Sequence, residues 1–245
     1  MKRILTTIIL VMALAATYAQ TPSLGSQTTP QSEVTAIAKT DWLVAYNSVR
    51  VDAPINIIFK RVPTVEELRI TYDSKGDVDS KFKFDIDRNG TLVITEKSDP
   101  KRLTVTDVVL YYHTLNSVKI AHATAEFENE IDAPLFDLVV SGGATVSLAL
   151  NTLDSAVECT GSSRLTINGS TKYLTMDVST AKVNCSEMSV VSATIEASHS
   201  AEVRVTVSER LEVTTITGAR LFYKGQPAIL RNHDGVFGGE VVKLD

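Results

Sequence analysis

Five hydroxyl-bearing residues, Ser141, Thr160, Ser179, Ser198 and Thr217, fall at a constant spacing of 19, and nothing else in the chain restricts its fold as much. Each follows a small or apolar residue: Val140, Cys159, Val178, Ala197 and Ile216. The position before that is acidic in the middle units, at Glu158, Asp177 and Glu196, with Val139 and Thr215 at the two ends. Alternation resumes beyond the hydroxyl in Val146-x-Leu148, Leu165-x-Ile167, Val183-x-Cys185, Val203-x-Val205 and Leu221-x-Tyr223, the third and fifth arriving one residue early. A period near 20 with period-2 alternation inside each unit is the pattern of stacked β-coils. One such coil cannot bury an apolar face alone, so coils stack about 4.8 Å apart and share a continuous core. The hydroxyl then marks a corner, bonding the coils above and below. The small residues after it (Gly142-Gly143, Gly161-Ser162, Thr180-Ala181, His199-Ser200, Gly218-Ala219) permit a tight bend. An antiparallel meander or sandwich also alternates, but sandwiches rarely hold one register over so many units. The expected fold is all-β, a parallel β-helix with coils of about 19 residues.

The chain has 245 residues, of which 44% are hydrophobic and only 6% aromatic, as suits thin coils packed with Val, Leu, Ile and Ala. A formal charge of −5 without a basic run argues against nucleic acid and against an anionic membrane surface. Residues 1–19 read as a signal peptide: Lys2-Arg3, an apolar run from Ile4 to Ala16, then Thr17-Tyr18-Ala19 before Gln20. The chain is therefore expected in the periplasm, on the outer-membrane surface or outside the cell, with no later transmembrane segment. No cysteine sits at the cleavage position, where Gln20 stands, so a lipid anchor is not indicated. Cys159 and Cys185 occupy inward positions out of line with each other and are expected as buried free thiols.

Residues 20–40 are rich in Thr, Ser, Gln and Pro and read as a flexible leader. Residues 41–245 form one solenoid domain: a less regular β half over 41–117, regular coils over 118–223, and a C-terminal cap over 224–245. In the first half Arg88-Asn89-Gly90 signals a hairpin turn. Asp52-Ala53-Pro54 and Asp132-Ala133-Pro134 echo each other ahead of strands, where proline's missing donor does no harm. The irregular half is expected to close an otherwise open end of the stack, which would be an aggregation edge.

At this point the residues resemble a known group. Ser141-Gly142-Gly143-Ala144-Thr145-Val146, Thr217-Gly218-Ala219-Arg220-Leu221 and Phe222-Tyr223-Lys224-Gly225-Gln226-Pro227 are similar to the repeated corner and the closing segment of the head GIN domain family. Its members are described as auto-transporter adhesin heads of exported Bacteroidetes proteins. The likeness runs from about Trp42 to Leu244. Ser179-Thr180-Ala181-Lys182 and Ser198-His199-Ser200-Ala201 depart from the corner pattern by lacking its glycine. The resemblance implies a right-handed β-helix and an envelope or surface role, and it brings no catalytic residues.

Glu158, Asp177 and Glu196 form the candidate binding column, three carboxylates about 5 Å apart on an outer face if the strands are in register. They would meet a cation or cationic ligand, or be relieved as a solvated face by Lys182 or Arg204. Calcium-binding β-roll loops need Gly-Gly-x-Gly-x-Asp, and Ser141-Gly142-Gly143-Ala144 lacks that aspartate, so no metal or cofactor is assigned. A polysaccharide-acting enzyme would need carboxylates facing each other in a groove; here they form a ladder, and no catalytic residue is assigned. The four histidines show no metal-ligand spacing. The reading is a non-enzymatic adhesin-like or envelope protein whose partner is a glycan or a surface protein. The alternative is a binder of a lipid-like ligand in a gap lined by Tyr111, Tyr112 and Trp42.

Overall fold

A computed structural model describes residues 38–75, 81–97, 104–234 and 238–245. These lie in one compact unit, Thr35–Asp245. The expected signal peptide over 1–19 and most of the expected leader over 20–40, up to residue 37, lie outside the described residues. The strands are β1 (Lys39–Trp42), β2 (Ser48–Asp52), β3 (Asn56–Arg61), β4 (Arg69–Asp73), β5 (Lys83–Ile86), β6 (Thr91–Thr95), β7 (Asp107–Tyr112), β8 (Ser117–Ala121) and β9 (Thr124–Phe127). Then follow β10 (Ile131–Ser141), β11 (Thr145–Thr160), β12 (Arg164–Ser179), β13 (Lys182–Ser198), β14 (Glu202–Thr215), β15 (Arg220–Lys224), β16 (Ile229–Asp234) and β17 (Glu240–Lys243). The fold is the expected one: all-β, a solenoid of about six turns with a repeat near 19 residues.

Two walls of parallel strands meet at the tight corner of each coil. On the first wall Leu138, Val157, Met176, Ile195 and Val213 pair rung to rung and point inward. On the second, Val146, Leu165, Val183, Val203 and Leu221 do the same. Every coil places like side chains over like, so the apolar core is continuous from Tyr46 to Tyr223.

The corners are left-handed backbone. Gly142 and Gly143, Gly161 and Ser162, His199 and Ser200, and Thr217 and Gly218 all have positive φ, the first pair at 64° and 78°. The Ala144 N–H donates to the Ser141 carbonyl at 3.2 Å, and Ala201 to Ser198 at 3.1 Å, closing turns of the doubly positive type. Ser179-Thr180-Ala181 is one residue shorter and uses a single left-handed residue, Thr180 at φ 57°. That explains why Val183 arrives early: it pairs with Leu165. A β-branched residue in this region is strained by about 1–2 kcal/mol. Thr180→Gly is expected to recover about 0.5–1 kcal/mol after glycine's extra chain entropy, raising Tm by about 2 °C, whereas Thr180→Ala leaves Tm unchanged. An equal gain from alanine in thermal melts would remove backbone strain as the cause.

The N-terminal half joins the same stack out of chain order. The coil β2–β3 pairs in parallel with β6–β7 on one side and with β8–β9 on the other. The first coil in sequence is thus the second in space. Phe59 anchors it, stacked on Phe127 with ring centroids 4.1 Å apart and edge-on to Tyr112 at 6.4 Å. Antiparallel strands finish this end: β5 on β6, β4 on β7, and β1 on β4. Tyr72, Phe82 and Phe84 pack together there. The β5–β6 hairpin turns at Arg88–Gly90, where the Asp87 carboxylate accepts the N–H groups of Asn89 and Thr91 at 2.8 and 3.0 Å. The two Asp-Ala-Pro segments sit at different bends: Asp52–Pro54 at the tight corner between β2 and β3, and Asp132–Pro134 within β10, where Pro134 and Leu135 both face outward.

Candidate functional site

Glu158, Asp177 and Glu196 pair rung to rung on the outer side of the first wall, all exposed. The outward column continues through Val139, Lys119 and Arg50 toward the N-terminal cap. Among the described residues, none of the three carboxylates makes an ion pair or side-chain hydrogen bond. Beside them runs an open groove of about 340 Å³ whose lining includes Ser117, Lys119, Asp137, Glu158, Thr175 and Asp177. Hydroxyl and carboxylate groups therefore line one strip of surface with charge unspent.

The basic residues expected to relieve these acids are elsewhere. Lys182 and Arg204 project from the second wall, where Arg204 pairs with Glu202 at 2.8 Å. The reason is topological: the left-handed corner between them and the preceding acid turns the chain onto the other wall. That wall carries its own column, Arg164, Lys182, Glu202 and Arg220. The same period of 18 to 20 residues runs through it, read from the residue that opens each second-wall strand. Sequence reasoning missed this strip because on these strands it followed the inward residues and not the outward ones that precede them. Among the described residues no group of His, Cys, Asp and Glu could hold a metal ion.

The corner column needs correcting in two respects. Thr160, Ser179 and Ser198 stack in register, and Ser141 follows the last pair of its ladder, Val140 with Cys159; but Thr215 pairs with Ala197, so Ile216 stands over Ser198 and Thr217 lies one residue beyond. Register irregularities between Cys185 and Ser192 shorten that coil to 18 residues. The corner bonds between coils are also backbone bonds, such as Ser162 N–H to the Thr180 carbonyl at 2.8 Å and Ser200 N–H to Thr217 at 3.0 Å. One hydroxyl does reach the next coil: Ser179 meets the His199 ring at 3.2 Å, and Ser198 meets the same ring at 3.1 Å.

Trp42, Tyr111 and Tyr112 do not line a common gap. Tyr112 is buried in the core, while Trp42 is 68% exposed on the outer side. Tyr111 lies beneath the Arg69 guanidinium, 3.6 Å from its ring centroid, and Arg69 also lies 5.8 Å from the Trp42 ring. Direct pairing of β3 with β9 closes the space between the two halves.

Cys159 and Cys185 are free and buried. Burial pushes both thiols up to about 12, and the neighbouring Cys159 adds to the effect on Cys185. A thiol pKa raised in the folded state contributes stability that is intact below the ordinary value near 9 and is lost as pH climbs toward 12. Neither thiol is expected to react with a disulfide reagent at pH ~8 until the chain unfolds. Rapid native-state labelling would contradict this environment.

No helix among the described residues is long and apolar enough to cross a membrane. No curated protein matches the sequence. Several solved structures share the fold. One from Bacteroides fragilis, described as a "putative adhesin", has a TM-score of 0.78 at 14% identity and covers 86% of this chain and 98% of its own. Another so described, from Parabacteroides merdae, scores 0.70 at 13% identity over 87% and 98%. A "putative lipid binding protein" from Parabacteroides distasonis scores 0.64 at 14% identity over 86% and 98%. A family model described as "Putative auto-transporter adhesin, head GIN domain" matches residues 45–227. The corner motifs, the coil stack and this match agree: the chain belongs to the head GIN domain family.

Proposed function

We propose that this protein is an exported, non-enzymatic, adhesin-like binder acting in the periplasm, on the outer-membrane surface or outside the cell. The observation that carries the reading is the in-register column Glu158, Asp177 and Glu196, exposed and without ion-pair partners among the described residues, beside a shallow groove. Its rungs repeat about every 4.8 Å, so one set of polar groups recurs along a line, as an extended polymer requires. Carboxylates accept hydrogen bonds from sugar hydroxyls, and Ser117 and Thr175 add groups that both donate and accept. The favoured ligand is an extended glycan.

A glycan array probed with the purified protein, with and without calcium, tests this. Saturable binding to one glycan class is expected, falling at least tenfold when Glu158, Asp177 and Glu196 are all replaced by alanine. Binding unchanged by that triple substitution would remove the face from the account. A blank array would shift the reading to a surface protein. The lipid-like alternative draws on the described relative from Parabacteroides distasonis and on an open groove of about 530 Å³ lined by Lys83, Phe84, Asp85, Val93 and Thr95. It predicts displacement of a fluorescent fatty acid that is lost in Phe84→Asp.

A further inference from the structure

The two walls of the coil stack carry opposite charge over the same coils. On the first, Asp137, Glu158, Asp177 and Glu196 are exposed. None of the four makes an ion pair or side-chain hydrogen bond among the described residues. On the second, Arg164 and Lys182 are likewise exposed without such partners. Arg204 and Arg220 share a single acid, Glu202, at 2.8 and 3.6 Å. Each wall therefore presents a surplus of one sign. A shallow groove whose lining includes Arg164, Thr166, Lys182, Asn184, Arg204 and the single acid Glu202 runs along the basic strip.

We propose that the acidic first wall of one copy docks on the basic second wall of another, so that the chain self-associates side by side. The argument for a second copy is complementarity of both charge and spacing. Both columns belong to the same coils, so both repeat at the strand spacing of about 4.8 Å. Glu158 and Asp177 of one copy stand at the same spacing as Arg164 and Lys182 of another, and the third rung sets Glu196 over Glu202, which Arg204 and Arg220 flank. Single exposed ion pairs are weak, and an array in fixed register acts together where isolated pairs do not. The contact joins unlike patches, so it closes into a ring or runs on as a filament. A glycan on the first wall would compete with this contact. Association is read without glycan, so its failure and failure of the binding proposal are separate results.

Sedimentation velocity of the purified protein provides the test. Species heavier than the 26.6 kDa chain are expected at about 20 mM salt and should disappear at about 0.5 M, where screening falls to a few ångströms. Glu158→Lys, Asp177→Lys and Glu196→Lys together make both walls basic; Arg164→Glu with Lys182→Glu makes both acidic. Each variant alone should associate at least tenfold more weakly than the parent, and an equimolar mixture should associate again. A parent that stays monomeric at low salt overturns the proposal. So does association undiminished in both variants, or a mixture that stays monomeric while both variants melt like the parent. If a reversed variant fails to fold, glutamine at the same positions gives the same comparison, with weakened self-association expected and unchanged association overturning the proposal.

Discussion

Gly169→Ala is expected to destabilise the protein by about 3 kcal/mol or more, lowering Tm by roughly 6–12 °C. Gly169 has φ +96°, and a Cβ there would stand 2.1 Å from the Leu150 carbonyl oxygen of the preceding coil. That oxygen is backbone held in the ladder, so it cannot swing aside as a side chain would. Gly225, φ +101°, repeats the arrangement over the Val207 carbonyl at the same 2.1 Å. Gly143 supplies the control, since its φ is +78° but nothing lies within 4 Å of an added Cβ. Gly143→Ala should cost only the left-handed strain, about 1 kcal/mol. Equal losses at Gly143 and Gly169 in denaturant titrations would show that backbone angle, not close approach between coils, sets the requirement.

Phe59→Ala is the second large loss, about 3–5 kcal/mol. The ring is fully buried and holds the inserted coil against Phe127 and Tyr112. The damage should be local, because each coil of a solenoid contacts only its neighbours. Native-state hydrogen exchange is expected to show protection falling first in β1 and β4 through β7, with β11 to β14 retaining theirs. Uniform loss across the chain would mean that the stack unfolds as one unit.

The regular coils were legible because each position stacks on its own kind, so Val146, Leu165, Val183, Val203 and Leu221 recur with the period of the coil itself. The insertion of β2–β3 was not, because its pairings obey no period: Phe59 meets Leu110 on one side and Phe127 on the other. Alternation tells which side chains point inward, but not which wall carries the outward ones. Lys182 and Arg204 were for that reason set beside acids that they face away from. Thr217 kept its sequence spacing while the ladder beneath it slipped, because residues absorbed in bulges leave no mark in composition or spacing.

The displaced order of the first coils governs how the molecule would bear a pull. Tension from the N-terminal side first strips β1, which is held along one edge by β4. It then reaches β2, clamped along both edges by β6 and β8. That strand cannot peel away bond by bond; both ladders must shear together. From the other end β17 and β16 are each held along one edge, by β15 and β14, and can unzip in turn. Loaded from the N-terminal side the molecule would therefore resist with its strongest joint, and loaded through its C-terminal strands it would open like a seam.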